Sequence, residues 1–257
     1  MIIKKIVKLK NNKYKIVLDN DKEIVTYDEV IIKYNLLNGL GDSRILDDVI
    51  ALNEYYNIYY KVLAYIFRRL RSKKEVVCYL EKFKINDCLR DKLVNDFVLK
   101  GLIDDEKFAK CFVADHFNLT NEGPLVIKYK LLKHDIAPDI VDNCLKFISE
   151  EELLNKVIKL VDKKVLENVK YSNYILKKKL ISYLISLGFL NDMIKDVVLN
   201  VVVDDTRLLF KDYEKLYARY CLKLSGSLLS YKIKSELFKK GYNSNDINDL
   251  LYEKNVH

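Results

Sequence analysis

Residues that break regular structure are scarce in this chain. Its 257 residues include only 2 prolines and 7 glycines. That scarcity excludes a turn-rich β-sandwich or barrel and long flexible linkers. Tryptophan is absent, and the three histidines, His116, His134 and His257, have no metal-binding spacing. The five cysteines, Cys78, Cys88, Cys111, Cys144 and Cys221, are odd in number and form no CxxC pair. They read as small hydrophobes within helices of a reduced, cytoplasmic protein, with neither a disulfide framework nor a zinc ribbon. No run reaches the roughly 18 uncharged apolar residues of a membrane span. The opening "MIIKKIVKLKNNKYK" is too charged and interrupted for a signal peptide. Phosphate-binding glycine loops, the dinucleotide fingerprint and the nucleophile elbow are missing as well. Cys111 and His116 lie five apart on one predicted helix, a poor separation for a nucleophile and its base, and Phe108 and Phe112 mark that helix as packed. No catalytic residue, cofactor or metal is expected.

Half the residues are hydrophobic, enough for a substantial core. The net charge of +8 admits nucleic acid, or a partner coated with it. With 32% charged residues of both signs, much of that charge is also plain solvated surface.

Residues 2–27 stand apart. "IIKKIVKLK", "YKIVL" and "EIVTY" are β-branched, partly alternating and separated by turn compositions, which predicts a three-stranded meander. "DEVIIKYNLL" predicts a short helix capped by Asp28, and "NGLGDS" (38–43) a linker.

From Asp47 the pattern is helical and repeats. Leu80, Leu131, Leu184 and Leu237 follow one another at steps of 51, 53 and 53 residues. Four residues beyond each stands Lys84, Asp135, Gly188 or Gly241, then an apolar residue, as at a helix C-terminus. Asn86, Ala137-Pro138, Asn191 and Asn243-Ser244 mark helix starts after these ends. Each unit opens with acid, at residues 47, 104, 150 and 204. The expected organisation is a β-meander plus short helix (1–46) and three-helix repeats over 47–103, 104–149, 150–203 and 204–257. A period near 50 residues predicts a mainly α, elongated and curved array of tandem three-helix repeats, each stacking on its neighbour, with a small β-rich N-terminal segment. The pair Asp104-Asp105 recurs with the other acidic openings and so reads as helix capping rather than chemistry.

Two stretches carry candidate contacts. In "AYIFRRLRSKKEVVCYLEKF", Arg68, Arg69, Arg71, Lys73 and Lys74 bracket a helix junction. Ser72 and Glu75 there have the spacing of a capping box. The basic cluster suits phosphates or an acidic protein patch; by composition alone a solvated turn explains it more readily. In "NEGPLVIKYKLLKHDIAPDIV", Gly123-Pro124 starts a helix carrying Lys128, Lys130 and Lys133. Lys128 and Lys130 are two apart, so one face does not present both squarely, and solubility explains them as well. Tyr55, Tyr56, Tyr59 and Tyr60 read as a helix–helix contact rather than a base-stacking surface.

"RRLRSKKEVVCYL", "GLIDDEKFAKCFV" and "GPLVIKYKLLKHDI", in this order and at these spacings, resemble the RecX regulatory family. The likeness is close over roughly residues 60–145 and architectural beyond. Arg68, Arg71, Ser72 and Glu75 match the first motif. Gly101, Ile103, Asp104, Asp105, Phe108 and Ala109 match the second, and Gly123, Pro124, Ile127 and Leu131 the third. Where many members carry arginine in the first helix of the second repeat, this chain has "ADHFN", with His116 or Phe117 near that place. The resemblance implies a non-catalytic monomer that modulates RecA, the recombinase that coats single-stranded DNA. It would lie in the groove of the RecA filament, inhibit it, and bind bare DNA weakly. Without the resemblance, two other readings stand: a nucleic-acid-binding helical protein with no protein target, and a scaffold for another protein.

Overall fold

The computed structural model describes residues 3–10, 13–38 and 43–254. It resolves into two compact units, Met1–Phe108 with His134–Ile136, and Ala109–Lys133 with Ala137–His257.

The first unit begins with the expected meander. Strands β1 (Ile3–Lys8), β2 (Lys13–Leu18) and β3 (Glu23–Tyr27) form an antiparallel sheet in the order β1-β2-β3. Ile6 pairs with Ile16, and Ile16 with Ile24. Helix α1 (Asp28–Lys33) follows directly. Its N-cap is Tyr27, so Asp28 is the first helical residue rather than the cap; its carboxylate accepts from the next amide, Glu29 N. Helix α2 (Ser43–Ile66) starts before the acidic pair Asp47-Asp48, which therefore lies in its second turn and caps nothing. Residues 39–42 of the expected linker lie outside the described residues.

The sheet seals one face of α2. Thr26, fully buried, donates to Asn53 Oδ1 at 2.7 Å, and Tyr27 stacks on Tyr60 at 5.1 Å. The other face of α2 packs on α3 (Lys73–Leu80) and α4 (Asp87–Leu99), with Tyr59 stacked on Phe97 at 4.8 Å. Tyr55, Tyr56, Tyr59 and Tyr60 of α2 thus join two hydrophobic cores, as their helical spacing predicts.

Ionisable groups are trapped at this seam. Tyr60 donates to Glu29, whose other carboxylate oxygen is buried with no partner. Burial, the hydrogen bond with Asp28 and its charge push the Glu29 pKa up, against the lowering effect of Tyr60. A carboxyl whose folded pKa is raised holds its proton better folded than unfolded. Stability from this group is therefore full below the unfolded carboxylate value and is lost as pH rises through the folded value. Glu29→Gln, which cannot ionise, should be more stable than the parent at pH 7, and the gap should close on acidification. Urea melts at several pH values read this directly.

In the second unit, α6 (Pro124–Lys133) packs on α7 (Pro138–Leu145), and α5 (Asp105–Leu119) enters from the first unit. Helices α8 (Glu150–Leu166), α9 (Asn173–Ser186) and α10 (Asn191–Leu199) share one core; α11 (Thr206–Tyr220), α12 (Gly226–Lys239) and α13 (Ser244–Glu253) share another. The protein is mainly α, built of tandem three-helix repeats behind a small sheet. No helix among the described residues is long and apolar enough to cross a membrane.

The repeat seen in the sequence is a repeat of middle-helix ends. Leu80, Leu131, Leu184 and Leu237 are all fully buried. Lys84, Asp135, Gly188 and Gly241 all adopt positive φ, from 51° to 89°. At Gly188 the end is a Schellman motif: Phe189 N donates to Leu184 O at 3.2 Å and Gly188 N to Ile185 O at 2.9 Å. Asn86 and Asn243 cap α4 and α13 through their side chains. Asn191 does not cap: it is the first residue of α10, after Leu190.

Candidate interaction surface

The loop between α2, which ends at Ile66, and α3 closes at Ser72, the N-cap of α3. Ser72 is fully buried, accepts from Glu75 N at 3.2 Å, and receives the Glu75 carboxylate on its own amide at 3.3 Å, a closed capping box. That box disposes of much of the basic cluster. Glu75 also holds Arg69 through both guanidinium nitrogens and approaches Arg71 at 3.6 Å. Arg71 is turned inward, its side chain only 12% exposed and its guanidinium 3.9 Å from the Tyr65 ring centroid. It is a structural residue. Lys74 pairs with Asp135 at 3.0 Å. Arg68 and Lys73 are exposed and have no ion pair among the described residues. Beside them Phe67 is 70% exposed, an aromatic that periodicity alone would bury.

The acidic pair has a divided role. Asp104 accepts from Lys107 N at 2.9 Å, and that bond, against a smaller burial effect, holds its pKa below the ordinary range. Asp105 reaches out of its own helix to accept from Lys73 N, the first amide of α3, at 2.8 Å. The pattern recurs 100 residues on: Asp205 accepts from Asn173 N, the first amide of α9, at 2.7 Å. Both acids cap the middle helix of the preceding repeat.

A wider rule follows from these contacts. Each middle-helix N-terminus meets the middle-helix C-terminus of the next repeat. Ser72 faces His134 at 3.5 Å; Gly123 N donates to Leu187 O at 2.7 Å and Leu125 N to Gly188 O at 3.0 Å; Ser172 donates to Lys240 O at 2.6 Å. At the junction of the second and third repeats orphan N–H groups and orphan carbonyls satisfy each other, at the next a serine hydroxyl takes up an orphan carbonyl, and opposite dipole ends meet. Gly101 ends α4 at φ +65°, Phe108 is buried against His134, and Pro124 is the first residue of α6.

The second basic set lies in the other unit and is largely compensated. Lys128 pairs with Asp142 at 2.5 Å, Lys130 pairs with Glu122, and Lys133 lies over the Tyr129 ring at 4.5 Å. Lys128 and Lys130 do point to different partners, as their spacing predicts. Glu122 also holds His116 Nδ1 at 2.7 Å. Burial works to raise the Glu122 pKa, but Lys130 and His116 outweigh it and keep the carboxyl below its ordinary value. His116 thus occupies itself with Glu122.

Sequence reasoning missed Lys156. Its ammonium donates to the backbone carbonyls of Phe117 and, at 3.0 Å, Glu122, closing the C-terminal end of α5. Burial lowers its pKa against the opposing charge of Glu122. A lysine in the second turn of an amphipathic helix carries no mark of this role. Lys156→Ala should cost about 2 kcal/mol, since hydrogen bonds from a charged group to buried carbonyls are lost, measurable by urea denaturation.

Among the described residues no group of three or more His, Cys, Asp or Glu could hold a metal. The five cysteines are free thiols.

Known proteins give this geometry a family. Residues 104–145 match the family model described as RecX, second three-helix domain. The Regulatory protein RecX of Streptococcus pyogenes serotype M4 is 31% identical over 95% of this chain and 97% of its own length. That of Bacillus cytotoxicus is 28% identical over 88% and 85%. A crystal structure of regulatory protein RecX superposes with a TM-score of 0.67, at 20% identity, covering 78% of this chain and all of that one. A crystal structure of RecX from Lactobacillus salivarius superposes at 0.55 and 25% identity, over 58% of this chain and 96% of that one. With its signature stretches folded as helix caps and repeat junctions, and with relatives matching nearly end to end, the chain belongs to the RecX family of regulatory proteins.

Proposed function

We propose that this protein is a non-catalytic, cytoplasmic, monomeric regulator of RecA that binds the groove of the RecA–DNA filament and inhibits its recombinase and coprotease activities. The observation that carries the reading is membership of the RecX family along nearly the whole chain. The repeat construction supports it. A chain of similar units can make similar contacts on a partner that is itself a repeating polymer, and weak contacts then combine by avidity. Of the basic residues at the α2–α3 junction, Arg68 and Lys73 are the ones left for a partner, with Arg69 and Lys74 half-engaged at its edge. Among Lys128, Lys130 and Lys133, each touches a neighbour yet keeps exposed surface, so these lysines contribute at most a second contact. Weak direct binding to DNA accompanies the RecA contact, as expected of a basic filament binder.

The test is the DNA-dependent ATPase of RecA on preformed single-stranded filaments, titrated with this protein. A substoichiometric fall in rate is expected. An unchanged rate, with RecA still on the DNA, refutes the inhibitory reading.

A further inference from the structure

A basic surface without carboxylate partners lies apart from the signature motifs. It is at the start of α9, in the third repeat. Between Glu167 and Asp192 the chain has no acidic residue and four lysines: Lys170, Lys177, Lys178 and Lys179. Lys177 is spent on structure, donating to Leu199 O at 2.9 Å. Lys178 and Lys179 have no ion pair among the described residues, and each lies over a tyrosine: Lys178 over Tyr174 at 4.4 Å and Lys179 over Tyr171 at 4.5 Å. Tyr174 is 54% exposed and Tyr171 39% exposed. The segment before α9 is fixed in place: Asn168 accepts from the Lys170 and Tyr171 amides and donates to Tyr171 O at 2.8 Å. The backbone that carries Tyr171 is therefore preset.

Two exposed rings beside ammonium groups that have no carboxylate partner are what a single strand requires. Its phosphates need cations, and its unpaired bases need flat apolar surfaces. A duplex offers phosphates but no free base face, and an acidic polypeptide without aromatic residues offers charge but no stacking partner. A groove of about 660 Å³ opens beside Tyr174, rimmed also by Phe238, which is 63% exposed. Asp204, Asp205 and Asp246 line that groove, so phosphates are directed to the open α9 face rather than into it.

We infer that the Tyr171–Tyr174–Lys178–Lys179 surface of the third repeat binds single-stranded nucleic acid directly, bases on the tyrosines and phosphates on the lysines. The inference rests on the weak direct DNA binding proposed above and gives it a place; it is independent of the RecA contact.

The experiment is fluorescence anisotropy of a labelled oligothymidylate with the full chain and no RecA, beside a duplex of equal length and polyglutamate. The single strand should bind more tightly than either. Tyr174→Ala should weaken it at least about fivefold, one lost base stack, and Tyr174→Phe should restore it. Lys178→Ala with Lys179→Ala should flatten the slope of log affinity against log salt by about 1.4, roughly 0.7 for each phosphate released. Unchanged melting of these variants by circular dichroism establishes that the loss is one of contact. Should Tyr174→Ala misfold, the lysine pair and the Phe variant still decide. Wild-type affinity and salt slope in folded variants overturn the surface while leaving direct DNA binding standing. Equal binding of polyglutamate overturns the ligand class. No binding of the single strand at all overturns both, without touching the ATPase result.

Discussion

Gly188→Ala should lower stability by about 3 kcal/mol, a fall of roughly 6–12 °C in melting temperature for a chain of this size. Two effects add. Gly188 has φ +89°, where an L side chain is strained. A Cβ there would also lie 2.6 Å from Val126 N and 2.8 Å from Val126 Cγ2. The backbone has nowhere to retreat, because Gly188 O accepts from Leu125 N and Leu187 O from Gly123 N in the same place. Gly123→Ala should behave alike, its Cβ falling 2.7 Å from both Gly188 C and Gly188 O. Gly101→Ala is the control. It too has positive φ, but a Cβ there meets nothing within 4 Å, so only the conformational cost of about 1 kcal/mol remains. Thermal melts followed by far-ultraviolet circular dichroism separate the two classes. Equal losses at Gly188 and Gly101 would mean that the close approach between the second and third repeats carries no energy.

The second large effect divides the basic cluster. Arg71→Ala should cost about 2 kcal/mol, because it removes a largely buried guanidinium stacked on Tyr65 and the packing of its stem. Arg68→Ala with Lys73→Ala should leave stability within about 0.5 kcal/mol, since both are exposed and unpaired. The same double variant should raise the concentration needed to inhibit the RecA ATPase by about tenfold, close to 1.4 kcal/mol for two contacts. A triple change that includes Arg71 would confuse unfolding with lost binding. Urea melts of each variant, run beside the ATPase titration, keep the two apart. Full inhibition by the stable double variant would remove the junction from the contact surface.

Much of the architecture could be read locally. Three-strand patterning, the helix-end leucines and the Ser72–Glu75 spacing are short-range signals, and each corresponds to a feature of the fold. The sequence marked a left-handed residue at two of four middle-helix ends, through glycine. The structure places Lys84 and Asp135 there as well. A Schellman end needs the conformation, but glycine is needed where neighbouring atoms approach too closely for a Cβ, as Val126 approaches Gly188 and Ser172 and Ile175 approach Gly241. The reading of Asp28 as a cap failed by one residue, since composition marks a helix start, as it did at Asn191, without fixing which residue leaves the helical conformation.

What the sequence determined by itself is the repeat: periodic leucines, acidic openings and capping residues are set by helix geometry within about a dozen residues. Tertiary structure alone decided which charges are free. Arg68 and Arg71 are three residues apart and chemically identical, yet one faces solvent and the other lies on Tyr65. Asp105 looked like a cap for its own helix and instead caps α3, 32 residues away. Lys178 and Lys179 differ from Lys177 only in the side of α9 on which each emerges. Side-chain partnership depends on what long-range packing brings within about 4 Å, and no local pattern records it.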